Sequence, residues 1–317
     1  MLSKCRQNQH KTIGAGHDLM FLMKNADTET RFVAANGLQF ETLVAGKGGA
    51  KFALLLHGFP ESNLSWRFQV PLLVALGYEV WMPNLRGYGD SSRPIGIAAY
   101  HLRHLVADVA GLIDAGAAER PVTLMAHDWG AIIAWAFAAD QVRPLERLVV
   151  MNVPHPARMA EGLQTRQQIR KSWYVFFFQL PWLPEFLIGQ QGAAILKRVF
   201  YNMAIDKTNF TPEILEAYRA NAALPGALTA MINYYRASAR GTDFVRYRRD
   251  VVKPISTPTL MIWGEADSAL GVELTDHYDG LVTDLTLKKL PNVSHWVQQE
   301  APKKVNAILT EWLKSAF

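Results

Sequence analysis

The chain of 317 residues holds a single cysteine, Cys5. One thiol makes neither an internal disulfide nor a thiolate metal cluster, and it fits a reducing cytoplasm as the expected compartment. Long apolar runs are missing too. No segment reaches the roughly 20 residues of a membrane span, and residues 1–19, with His10, Lys11, His17 and Asp18, lack the apolar stretch of a signal peptide. Residues 1–29 are read as a polar N-terminal arm, in which Met20 offers a second start. Charge of one sign does not dominate. Lys and Arg number 33 against 28 Asp and Glu, a formal net charge of +5. The cations Arg240, Arg246, Arg248, Arg249 and Lys253 lack the Gly and aromatic spacing of a nucleic-acid module, so a solvated edge is the simpler reading and no nucleic-acid partner is expected. Repeats and low-complexity segments are also lacking.

Half of the residues are hydrophobic, enough for a large α/β domain with an insertion. Residues 30–35 and 38–45 alternate around Asn36-Gly37, a hairpin signal. Short apolar strands are expected at 52–56, 78–82, 122–126, 145–151, 259–263 and 285–290. Residues 100–115 have helical periodicity, with Leu102, Leu105, Val106, Val109 and Leu112 inward and His101, His104, Asp108 and Asp114 toward solvent. A last amphipathic helix is expected at 301–317. Strands alternating with helices predict a mostly parallel sheet covered on both faces. The rhythm stops after Pro154-His155-Pro156. Residues 157–252 show helical patterns, no clear strand and many aromatics. They are read as a helical lid between the two parts of the core, residues 30–156 and 253–317.

The most informative stretch is Ala126-His127-Asp128-Trp129-Gly130, between a strand and a helix over 130–139. So short a connection must turn sharply, with small residues flanking its tip. This is the spacing of a nucleophile elbow, with Asp128 at the tip where serine is common. A carboxylate is ionised at neutral pH and needs no base. It suits displacement at a saturated carbon, which gives an alkyl ester that water must then cleave. Helix capping by Asp128 is the simpler alternative. Asp267 and His295 also fall at expected strand ends, in the order nucleophile, acid, histidine. His295 would activate water, and Asp267 would hold its other ring nitrogen. Taken singly, Asp267 also reads as a turn residue and His295 as a hydrogen-bonded strand-end histidine. In His57-Gly58-Phe59-Pro60, Gly58 lets the backbone approach closely. The oxyanion donors are then the N–H groups of Phe59 and Trp129. His57 is expected to prop this loop, and His127 to point away.

Five motifs together resemble the α/β-hydrolase-fold epoxide hydrolases. They are His57-Gly58-Phe59-Pro60-Glu61-Ser62, Arg86-Gly87-Tyr88-Gly89-Asp90-Ser91, His127-Asp128-Trp129-Gly130-Ala131, Trp263-Gly264-Glu265-Ala266-Asp267 and Ser294-His295-Trp296. The resemblance runs from about Thr30 to the C-terminus. It implies an eight-stranded α/β-hydrolase core with an inserted lid, a covalent ester on Asp128, and a cis Phe59–Pro60 peptide. It also implies two lid tyrosines that protonate the epoxide oxygen. Tyr235, in Asn233-Tyr234-Tyr235-Arg236, falls on one motif position, and Tyr234 would point about 100° away on a helix. For the second, one alignment gives Phe177, which has no proton to donate, and Tyr174 lies on nearly the same helix face. Phe59, Pro60, Trp129, Trp173, Phe177 and Trp296 are expected to line the substrate pocket, although the lid aromatics also fit plain packing or a dimer contact.

The expected reaction is hydrolysis of an apolar epoxide to a vicinal diol, by a monomer or homodimer with neither metal nor organic cofactor. A haloalkane dehalogenase shares Asp128-Trp129 and is the alternative enzyme. A fluoroacetate dehalogenase would want arginines where Trp129 and Ile132 stand. A non-catalytic ligand-binding member of the fold would go with an incomplete triad. Serine-esterase chemistry is excluded with aspartate as the nucleophile.

Overall fold

The computed structural model describes residues 28–242 and 244–315. The expected N-terminal arm, with Cys5 and Met20, therefore lies almost wholly outside the described residues. Eight strands form one sheet: β1 Thr28–Ala35, β2 Leu38–Ala45, β3 Lys51–Leu56, β4 Tyr78–Pro83, β5 Val122–His127, β6 Arg147–Met151, β7 Thr259–Gly264 and β8 Leu285–Leu290. Their order is β1-β2-β4-β3-β5-β6-β7-β8. The first two pairings are antiparallel, and every pairing from β4 onward is parallel. Asn36 and Gly37 both take positive φ, 48° and 73°, as a two-residue hairpin whose twist matches the strands requires.

Burial on both faces explains why the central strands are apolar throughout. Leu54, Leu56, Leu124 and Val150 face one layer of the core, while Ala53, Leu55, Met125 and Val149 face the other. Helix α1 (Val70–Ala75) packs on the second layer. Helices α2 (Leu102–Gly116) and α3 (Trp129–Ala139) pack on the first. Helix α3 is apolar around its whole circumference, the pattern of a helix buried on all sides.

Between β6 and β7 the described residues form helices and no strand. They are α4 (Pro156–Gly162), α5 (Arg166–Lys171), α6 (Trp173–Phe177), α7 (Leu183–Ala193), α8 (Ile195–Met203), α9 (Pro212–Ala223) and α10 (Ala227–Arg240). Helix α10 is fixed over the core by Tyr234, whose hydroxyl donates to the Arg86 carbonyl at 2.8 Å. The chain closes with α11 (Val297–Glu300) and α12 (Pro302–Lys314), and α12 packs on the second layer.

One expectation changes here. Asp108 does not face solvent. It is 4 % exposed, because the Arg86 guanidinium and the Asn36 amide both donate to its carboxylate. The cations at 240–253 are largely engaged: Arg246 pairs with Asp140, Arg248 with Asp250 and Arg249 with Glu161. That engagement is what the expected solvated edge looks like.

Candidate active site

Asp128 alone separates β5 from α3, with φ 48° and ψ −123°. Positive φ is uncommon for a residue with a side chain and marks stored strain at a turn. Its carboxylate makes no capping bond to α3, so the capping alternative fails. Instead Oδ1 accepts the Phe59 N–H at 2.6 Å. Two glycines make room for this. A methyl group at Gly58 would collide with the Asp128 side chain, and one at Gly130 would collide with the carbonyls of Leu56 and His57. The Phe59–Pro60 peptide is cis, as the resemblance implies. His57 props the loop: its Nε2 accepts the Leu85 N–H at 3.0 Å, and its Nδ1 lies 3.0 Å from the Gly58 carbonyl. Burial drives its pKa down to about 4, so it is neutral.

His295 stands between two carboxylates. Its Nδ1 is 2.7 Å from Asp267 Oδ2, and its Nε2 is 3.4 Å from Asp128 Oδ2. Burial alone would lower its pKa. The charges of Asp267 and Asp128 outweigh burial and hold it well above the ordinary histidine range. Burial would likewise raise both carboxylates, yet His295 keeps them below their usual values. The resting trio is therefore an imidazolium held by two carboxylates.

Above the trio lies a cavity of about 870 Å³, lined mostly by apolar side chains. Asp128 and His295 lie on its wall with Phe59, Pro60, Trp173, Tyr174, Phe177, Tyr235 and Trp296. The Tyr174 and Tyr235 rings are 5.9 Å apart. Burial, and then the Asp128 charge, raise both phenols above their ordinary pKa, so both remain protonated. Trp129 differs from expectation. Its ring does not line the cavity but packs 5.3 Å from Tyr234 and 5.0 Å from Tyr235, beneath the tyrosines.

Comparison with known proteins agrees with this geometry. The family model for the alpha/beta hydrolase fold matches residues 54–302. Epoxide hydrolase 4 of Homo sapiens is 36% identical over 88% of this chain and 76% of its own. The AB hydrolase superfamily protein YfhM of Bacillus subtilis (strain 168) is 34% identical over 90% and 98%. The crystal structure of the Bacillus megaterium epoxide hydrolase with an inhibitor superposes with a TM-score of 0.80, at 26% identity over 90% of this chain and 100% of that one. The chain belongs to the α/β-hydrolase-fold epoxide hydrolase family.

Three side chains in this family member escaped the sequence-level assignment of roles. Asn152 follows β6 with φ 48°. Its amide donates to Asp267 Oδ2 at 2.8 Å and accepts the Gly264 N–H at 2.8 Å, which locks the acid to β7. His127 does point away from the cavity, but it is occupied. Its Nε2 lies 2.9 Å from the His295 carbonyl and its Nδ1 2.8 Å from Glu61. Glu61 also accepts the Gly58 N–H at 3.0 Å and the amides of Gln298 and Gln299. One buried carboxylate thus ties the Phe59 loop to the His295 loop. An asparagine directly after a strand was the available signal for the first. Glu61 and His127 stand in the quoted motifs, but their partners are distant in sequence.

Proposed function

We propose that the protein hydrolyses an apolar epoxide to a vicinal diol through an ester on Asp128, with residues 157–252 acting as the lid of the cavity. The observation that carries this is an ionised elbow carboxylate in the same apolar cavity as two protonated phenols. An opening epoxide leaves a basic alkoxide, which needs a proton in place. Asp128 attacks the epoxide carbon, the C–O bond breaks, and Tyr235, joined by Tyr174, protonates the oxygen. Esterification removes the Asp128 charge that helped hold His295 protonated. The imidazolium returns its proton to the tyrosinate, and neutral His295 then takes a proton from water attacking the ester carbonyl. Asp267 stabilises the imidazolium that reforms. The N–H groups of Phe59 and Trp129 receive the oxyanion. Collapse releases the alkoxide, which takes the carboxylic proton and leaves as diol. No step calls for a metal or an organic cofactor.

Dehalogenation uses the same nucleophile. The indole N–H of Trp129 is buried and makes no hydrogen bond of close geometry among the described residues, the kind of donor a halide site requires, although the Tyr235 hydroxyl is near enough to feel it. Tyr235 nevertheless packs against that ring, and the ring does not line the cavity, so the epoxide reading is preferred.

The test is an intact-mass trap. In His295→Gln the ester forms and water is not activated. An aryl epoxide is expected to add its whole mass to the peptide carrying Asp128, and Asp128→Ala is expected to abolish both adduct and diol while staying folded. An alkyl adduct from a haloalkane, with none from the epoxide, would transfer the assignment to dehalogenase.

A further inference from the structure

The large apolar side chains left in water are concentrated in one stretch. Trp173, Phe176, Trp182 and Phe186 are 64 %, 56 %, 69 % and 57 % exposed. Leu187 and Ile195, nearly half exposed, line the cavity together with Trp173. Exposed apolar side chains therefore continue inward as the cavity wall. Most of the other large apolar side chains of the described residues are buried, and contiguous exposed apolar surface of this kind marks an interaction site.

Charge indicates the partner. Residues 163–205 contain Arg166, Arg170, Lys171, Lys197 and Arg198 against one acid, Glu185. Glu185 is taken by Arg236 and Lys197 by Glu216, and Lys171 donates to the Asp267 carbonyl, which leaves Arg166, Arg170 and Arg198 as the main charges the face offers. Arg166, Arg170, Lys171 and Trp173 line a shallow cleft that shares Lys171, Trp173 and Ser268 with the main cavity. Arg198 stands on the cavity wall itself. Trp and Phe set among Lys and Arg is the composition of a surface lying in a lipid headgroup layer, where the cationic stems extend along apolar surface and the charges meet phosphate. A second copy of this chain is disfavoured, because both copies would bring this same face to a two-fold contact and its one acid, Glu185, is already paired with Arg236. We propose that this face of residues 163–205 docks the protein peripherally on an anionic lipid bilayer, with the cavity mouth opening toward the membrane. No helix of the described residues is long and apolar enough to cross a membrane. An apolar substrate dissolved in the bilayer would reach Asp128 without crossing bulk water. Docking itself does not depend on the proposed reaction.

The experiment is sedimentation of the full chain with phosphatidylcholine vesicles, with and without phosphatidylglycerol, at increasing salt. Binding is expected only with phosphatidylglycerol and is expected to fall with salt. Each cation near an anionic surface contributes about 1 kcal/mol, or about fivefold in partitioning. Arg166→Glu/Arg170→Glu is therefore expected to lose more than about 25-fold. Trp182→Ser/Phe186→Ser is expected to lose binding while keeping the wild-type circular dichroism and turnover of a water-soluble epoxide. Failure of the wild type to sediment overturns the proposal. So does undiminished binding of both variants, which would put the anchor elsewhere in the chain. Concentration-dependent dimerisation that both variants abolish and vesicles do not compete with would give the face to a second copy and overturn the proposal too.

Discussion

Replacing Asp267 with Asn keeps the side-chain shape and removes the charge, and here the replacement has no comfortable orientation. Oδ1 accepts the N–H groups of Ala269 at 2.7 Å and Leu270 at 3.0 Å, while Oδ2 faces His295 Nδ1 at 2.7 Å and Asn152 Nδ2 at 2.8 Å. On the Oδ1 side its NH₂ meets the Ala269 and Leu270 N–H groups; on the Oδ2 side it meets the Asn152 amide and, while His295 is protonated at Nδ1, the ring N–H as well. Two bonds to a charged group are lost, at about 1.5–3 kcal/mol each, so the variant is expected to lose about 3–6 kcal/mol of stability. At about 2 °C per kcal/mol for a large domain, Tm falls by about 6–12 °C. The orientation that preserves the backbone turn sets NH₂ against His295 Nδ1 and forces the proton onto Nε2, the wrong tautomer for a base that faces the ester. Ester hydrolysis is then expected to slow by about 10⁴-fold, whereas ester formation, which needs Asp128 and the phenols, continues. Rapid-quench intact mass should show a burst of alkyl-enzyme that stalls. A folded Asp267→Asn that clears its ester within about tenfold of the wild-type rate would refute the assignment of Asp267.

The pKa of His295 is raised, so its contribution to stability is complete below the unfolded value of about 6.5 and is lost as pH rises through the folded value. The Tm advantage of wild type over His295→Gln is therefore expected to shrink as pH rises above about 6.5, and a pH-independent difference would contradict the imidazolium. Gly58→Ala puts a methyl group into the Asp128 side chain and is expected to slow ester formation by more than about 100-fold through misplacement of the nucleophile; a wild-type burst amplitude and rate would refute that. Tyr235→Phe is expected to slow ester formation by about 10²-fold or more, the range of a lost general acid, with ester hydrolysis less affected. Tyr174→Phe is expected to act on the same step, and the double variant to be slower than either single one. Unchanged ester formation in Tyr174→Phe would leave Tyr235 as the sole acid.

The sheet and the elbow were legible because each rests on local chemistry. Continuous apolar runs bounded by turn residues read as buried parallel strands, and small residues two positions either side of Asp128 leave few conformations besides a sharp turn. The Asn36-Gly37 hairpin was legible for the same reason. Asp108 was misread because helical periodicity reports a face and not a partner, and Arg86 lies 22 residues upstream on a loop. Trp129 was misplaced in the pocket because adjacency to a nucleophile in sequence says nothing about which way the first helical side chain turns; here it turns under Tyr234 and Tyr235. Apart from the Gly58 N–H bond to Glu61, Asn152 and Glu61 act through bonds that span from 66 to 238 residues, a separation that no local pattern encodes.

In the proposed mechanism the carboxylate that attacks the substrate also helps Asp267 to set the protonation of the base, and this orders the two half-reactions. While Asp128 is ionised, its charge and that of Asp267 keep His295 protonated, so the ring has no free lone pair and does not activate water in the empty cavity. Ester formation neutralises Asp128 and leaves Asp267 alone to hold the proton, now against the desolvation that favours a neutral ring. On this proposal His295 becomes a base only once there is an ester to cleave. Asn152, Ala269 and Leu270 donate to Asp267 and keep it aimed, so in the proposed cycle the changing element is the charge at position 128. The 3.4 Å separation of Nε2 from Oδ2 suits this arrangement. It is close enough for the two charges to act strongly on each other, yet longer than a tight hydrogen bond, so the nucleophile is not held back by the group that later releases its product.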